Sequence, residues 1–136
     1  MAAGENSQSR PREASQKVLV AFRADRFLVE VNSGGFLGFF DWEREAAPET
    51  VADLRVIGLP DVADSLSSAI HMVAPGQWPR TKAEFAVAKE ALMKDDTRRA
   101  SVDALDQKVI AESAKIEAAT HDYIRRHLTV FESLDR

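Results

Sequence analysis

The chain has 136 residues, 45% of them hydrophobic and 29% charged, with no cysteine and a formal net charge of −4. That length supports one domain with a real core; without cysteine there is no disulfide framework, no thiolate nucleophile and no cysteine-based zinc site. No run approaches the roughly 18 apolar residues a membrane span needs, and the N-terminus lacks the apolar core of a secretory signal, so a cytoplasmic protein of bacterial type is expected.

Residues 1–14 are small, polar and interrupted by Pro11, which predicts a disordered tail and leaves 15–136 as a single all-α domain. A first helix is expected from about 15 to 32, with Val18, Phe22, Leu28 and Val29 at approximate helical spacing and Leu19 and Val31 widening the apolar face. Asn32-Ser33-Gly34-Gly35 ends it, because glycine accepts positive φ at little cost and a Gly pair suits a helix cap and chain reversal. A short aromatic helix follows from Phe36 to about Glu45, carrying Phe36, Phe39, Phe40 and Trp42.

Pro48 suits the first turn of a third helix with Val51, Leu54 and Ile57 inward, and Gly58 closes it. Pro60 opens a fourth, about 60 to 73, in which Val62, Leu66, Ala69, Ile70 and Val73 make a strong amphipathic stripe. Residues 74–79, Ala-Pro-Gly-Gln-Trp-Pro, read as a loop. Thr81 and Glu84 have capping-box spacing and start a helix to about 95 that buries Phe85, Ala88 and Leu92. Asp95-Asp96-Thr97 breaks the chain before a long helical stretch from about 101 to 128, with Leu105, Val109, Ile116, Ala119 and Tyr123 inward and Glu112 as its polar exception. No period-2 strand pattern occurs. The expected architecture is an all-α bundle of about six helices with a Gly-Gly corner between the first two, packed around Phe22, Phe36, Phe39, Phe40, Leu54, Ile57, Leu66, Ile70, Leu92, Ile116 and Tyr123.

Charge is unevenly placed. Residues 18–60 hold four bases and seven acids, residues 61–79 two acids and no base, and residues 80–136 eleven of each. An acidic middle and no basic face argue against direct nucleic-acid binding. The Gly pair follows a helix and lacks the lysine and hydroxyl of a phosphate loop, so it reads as a corner and not as a phosphate cradle. His121 and His127, six apart, do not share a helix face as a metal pair would; His127 near a helix end is instead favoured when protonated. Ser33 has no nucleophile-elbow context. No catalytic residue, metal or cofactor is expected. Of the tryptophans, Trp42 suits core packing, while Trp78 suits core or an exposed patch equally.

Glu30-Val31-Asn32-Ser33-Gly34-Gly35-Phe36-Leu37-Gly38-Phe39-Phe40 resembles the hallmark of a small all-α family named after an acidic DNA-mimic protein and otherwise largely of unknown function. Residues 47–51 and 56–60 resemble its next pieces, and Leu105-Asp106, residues 121–127 and Phe131 its closing helix. The resemblance covers about 17 to 132. The family's usual glutamine is Gly38 here, and Asp41-Trp42-Glu43 replaces its asparagine-bearing stretch. The resemblance makes Asn32, Gly34, Gly35, Phe36, Phe39, Phe40 and Gly58 a structural signature. It implies a non-catalytic protein-interaction module whose partner is a basic or DNA-binding protein, met by an acidic face of Glu43, Glu45, Glu49, Asp53, Asp61 and Asp64. Net −4, with Arg44 and Arg55 interleaved, is thin for a full mimic of a polyanion. Two other readings stand beside it: a ligand pocket or enzyme site at the Gly34-Gly35 corner using Asn32, Ser33 and Trp42, and an accessory domain with an apolar contact patch around Trp78. The oligomeric state is not legible.

Overall fold

The structure, a computed structural model, describes the backbone of residues 2–129 and the side chains of residues 15–129. Phe131, part of the resemblance, lies outside the described residues. Within them the chain is all-α, with six helices: α1 (Ala2–Glu43), α2 (Ala47–Ile57), α3 (Pro60–Val73), α4 (Lys82–Met93), α5 (Asp96–Ala111) and α6 (Ser113–Arg126). No described helix is long and apolar enough to cross a membrane.

The helical backbone of α1 begins at Ala2, ahead of the start expected near residue 15, and runs as two arms. Gly34 (φ −144°, ψ 15°) and Gly35 (φ 68°, ψ −166°) are non-helical, and the second arm folds back on the first. In a straight helix, residues 27 and 39 would lie about 18 Å apart along the axis. Instead the Phe27 and Phe39 rings meet edge-on with centroids 5.1 Å apart, and Phe27 also meets Phe36. Arg26 closes the fold from outside, bonding Glu30 at 2.6 Å on its own arm and Glu43 at 3.3 Å on the other.

Phe27, Phe36, Phe39 and Phe40 form the aromatic centre, with Leu54, Leu66, Leu92, Ile116 and Tyr123 packed around it. Two expected core residues need correction. Phe22 is 58% exposed, and Ile70 is only partly buried. The first arm carries two apolar stripes on opposite sides. The one that faces inward is Val20, Ala24, Phe27 and Val31, at steps of four, three and four residues, while Leu19, Phe22 and Val29 face outward. Helical period alone does not choose between two stripes; the partner helices do.

Local signals set most other boundaries. Pro48 stands in the first turn of α2, and Gly58 ends it in the left-handed conformation (φ 97°), the Leu59 N–H returning 2.9 Å to the Leu54 carbonyl. Pro60 opens α3. The Thr81 hydroxyl accepts from the Glu84 N–H at 3.1 Å, half of the expected capping box. Asp95 accepts from the Arg98 N–H at 3.1 Å and so starts α5 at Asp96, five residues before the expected start near 101. The long final stretch is in fact two helices. It breaks at Glu112 (φ −93°, ψ 8°), the residue that had stood out as polar in the inward stripe.

Candidate functional site

The signature stretch is fully employed by the fold. Val31 is buried and Glu30 holds Arg26. The Ser113 hydroxyl shares its one proton between the Ile110 carbonyl at 2.6 Å and Asn32 Oδ1 at 2.9 Å, the second contact tying the end of the first arm to the break between α5 and α6. The Ser33 hydroxyl turns back to the Val29 carbonyl at 2.9 Å. Asp106, from the middle of α5, accepts the Phe36 N–H at 2.8 Å. It thereby caps the second arm, whose first amides have no partner within the helix. A Cβ on Gly35 would lie 2.6 Å from Asp106 Oδ2, so both the positive φ and the approaching carboxylate require glycine. Gly34 has no atom within 4 Å of its would-be Cβ. Of the Gly pair placed at the corner, Gly35 alone has the positive φ that glycine accepts.

Burial raises the pKa of the Asp106 carboxyl, and Asp103 adds to the effect, while the Phe36 N–H pulls it the other way. The corner is thus a polar joint filled by Asp106 and Ser113. The groups suggested for a pocket there, Asn32 and Ser33, are already bonded within the fold, and Trp42 lies on the far arm.

The six acids expected on one face divide into two sets. Asp53 is buried, and its carboxylate takes the Arg23 guanidinium by two bonds, 2.5 Å to Nε and 3.1 Å to Nη2. It therefore belongs to the fold and not to a contact surface. That bond, above all, raises the Arg23 pKa, and the same carboxylate helps burial raise that of Tyr123. Glu43 is engaged by Arg26 across the fold of α1. Glu45, Glu49, Asp61 and Asp64 are exposed. Glu45 touches Arg44 only at 3.4 Å, Asp64 pairs with Arg55 at 2.9 Å, and Glu49 and Asp61 make no ion pair among the described residues. Glu45 and Glu49 flank the start of α2; Asp61 and Asp64 sit in the first turns of α3. Glu49 and Arg55, the partner of Asp64, are six residues apart along α2, a rise of about 9 Å.

Trp42, expected in the core, is exposed, and Trp78, for which core and exposed patch had stood equal, packs against the core. Trp78 packs edge-on against Phe40, centroids 5.0 Å apart, and donates from Nε1 to the Arg44 carbonyl at 2.9 Å. Trp42 is 76% exposed. The sequence held a signal for this: Trp42 lies two positions beyond Phe40 and six beyond Phe36, steps that turn it away from the face those two rings share. His127 lies against the Tyr123 ring, and partial burial with Lys17 and Arg126 nearby lowers its pKa, the reverse of the expected helix-end effect.

The family described as DMP19-like protein matches this chain over residues 12–127, and the chain belongs to it. No curated protein and no solved structure matches it significantly.

Proposed function

We propose that this DMP19-like chain is a non-catalytic protein-interaction module that meets the basic surface of a DNA-binding protein through Glu45, Glu49, Asp61 and Asp64. Family membership supports the reading, since the family takes its name from an acidic DNA mimic. The observation that carries it is the division of the acids. Asp53, Glu43 and Glu30 are spent on arginines inside the fold, whereas these four carboxylates stay at the surface, at the two ends of α2. Spaced surface carboxylates attract a cationic partner and speed its encounter, an effect that salt screens within about 8–10 Å. The interaction is therefore modest in charge and does not need a polyanion.

The test is a titration of the chain against a panel of basic DNA-binding proteins at low and at physiological salt. Binding should weaken as salt rises and be lost in the quadruple variant E45Q/E49Q/D61N/D64N. Absence of binding across the panel, or binding indifferent to salt, overturns the reading.

A further inference from the structure

Between the end of α1 and the first turns of α4 lies a cavity of about 510 Å³, lined by Asp41, Trp42, Arg44, Lys82, Phe85, Ala86 and Lys89. Three features of it are unexplained by the fold. The first is Trp42, whose indole is left in solvent although every other aromatic ring near it, Phe39, Phe40 and Phe85, is buried. The second is Arg44. Its side chain is 89% buried, yet Nε finds no acceptor, and Nη2 reaches only Glu45 at 3.4 Å and the Arg80 carbonyl at 3.5 Å. Nε is sealed from solvent, but the weakly matched Nη end of a largely buried guanidinium gains from an anion. The third is the charge balance. Three bases line the cavity with one acid, Asp41, which is already held by Lys89 at 3.2 Å, and Glu45, just outside the lining, reaches Arg44 only at 3.4 Å. Lys82 has no ion-pair partner among the described residues.

We propose that this cavity binds a small planar aromatic anion, its ring stacked on Trp42 and its phosphate or carboxylate held by Arg44 and Lys82. Size, ring and charge agree. A volume of about 510 Å³ falls within the range of about 300–1,000 Å³ typical of small-molecule sites. An apolar floor made by Phe85 and Ala86 suits a ring edge. Arginine presents its donors as a planar fork matched to two oxygens, and lysine adds a mobile point charge. The site adjoins the acidic contact surface proposed above at Glu45, which Arg44 reaches at 3.4 Å, but the two take ligands of opposite charge, so either can fail alone.

Calorimetric titration of the full chain decides it. AMP offers the phosphate arm and indole-3-carboxylate the carboxylate arm; adenosine and inorganic phosphate each carry half of the recognised chemistry. Saturable binding by AMP, by indole-3-carboxylate or by both supports the site and tells which anion it takes. Each half ligand should bind at least tenfold more weakly than the whole. Trp42→Ala and Lys82→Ala, both at exposed positions, should keep the parent melting temperature and weaken binding roughly tenfold or more. No heat from either ligand at millimolar concentration, adenosine binding as tightly as AMP, or an unchanged affinity in W42A overturns the proposal.

Discussion

The joint at residues 30–36 and the surface at the two ends of α2 are built from the same chemical group and use it in opposite ways. At the joint and just behind it, Asp106 and Asp53 each face a donor from a distant segment, the Phe36 amide and Arg23, and Glu30 faces Arg26 one turn away on its own arm. Along the outer edge, Glu49 and Asp61 are exposed without an ion pair among the described residues, and Glu45 and Asp64 stay exposed beside Arg44 and Arg55. Total acidity is thus a poor guide to an acidic surface. What counts is how many carboxylates remain after the fold has taken its share.

The contrast can be broken at several points. The largest effect is expected at Arg23→Ala, which strands the Asp53 carboxylate without its partner. Losing one member of a buried pair costs about 3–5 kcal/mol, and since Arg23 is partly exposed the lower end, about 3 kcal/mol, is expected in urea unfolding. If R23A melts with the parent, Asp53 belongs with the surface acids after all.

Next comes the asymmetry of the glycines. Gly35→Ala forces a side chain into a conformation that is almost exclusive to glycine and into the Asp106 carboxylate, a loss of about 1–3 kcal/mol from the backbone alone. Gly34→Ala, with open space at its Cβ, should stay within about 0.5 kcal/mol of the parent. Equal melting temperatures for the two variants would remove the joint from the account.

Asp106 gives a smaller and pH-dependent effect. Asp106→Ala uncaps the second arm of α1 and should cost about 1 kcal/mol, while Asp106→Asn keeps an oxygen for the Phe36 N–H and should be tolerated. Because burial raises the folded-state pKa above the unfolded one, the proton is held more tightly by the native chain. The associated stability is complete below the unfolded pKa and is lost as pH rises through the folded one. The parent should therefore lose this contribution across the acidic range where D106N does not. A D106N curve parallel to the parent's would show that Asp106 does not titrate differently on folding.

The smallest stability change belongs to the outer acids. E45Q/E49Q/D61N/D64N should unfold within about 1 kcal/mol of the parent, since surface substitutions away from special features are usually near neutral. Far-ultraviolet circular dichroism during urea unfolding checks this. A large loss would mean that these carboxylates hold the fold and not a partner.

What the sequence disclosed follows the same line. Pro48, Gly58, Pro60 and the Thr81–Glu84 pair act within a few residues of themselves, and the helix ends they announce are where they announce them. Phe22 misled because its outward stripe is as regular as the inward one, and only the packing of the other helices tells them apart. The break at Glu112 has no glycine or proline to mark it; it coincides with the bond from Ser113 to Asn32, 81 positions earlier. Asp53 did carry a readable sign, for it shares the inward stripe of Thr50, Leu54 and Ile57. An acid in such a stripe asks for a buried base, although nothing in the sequence says that the base is Arg23.

The span of the joint bears on how the chain is made. Its two bonds join residues 70 and 81 positions apart, from the first third of the protein to the last. During synthesis the folded-back aromatic arms of α1 emerge well before Asp106 and Ser113 exist to lock them, and contacts so distant in sequence form late. Until then Phe27, Phe36, Phe39 and Phe40 have only one another and the nearest following helices for cover. The nascent chain thus spends its most aggregation-prone interval with its most aromatic segment unlatched, and substitutions at the latch should lower the yield of native protein more than their effect on equilibrium stability implies.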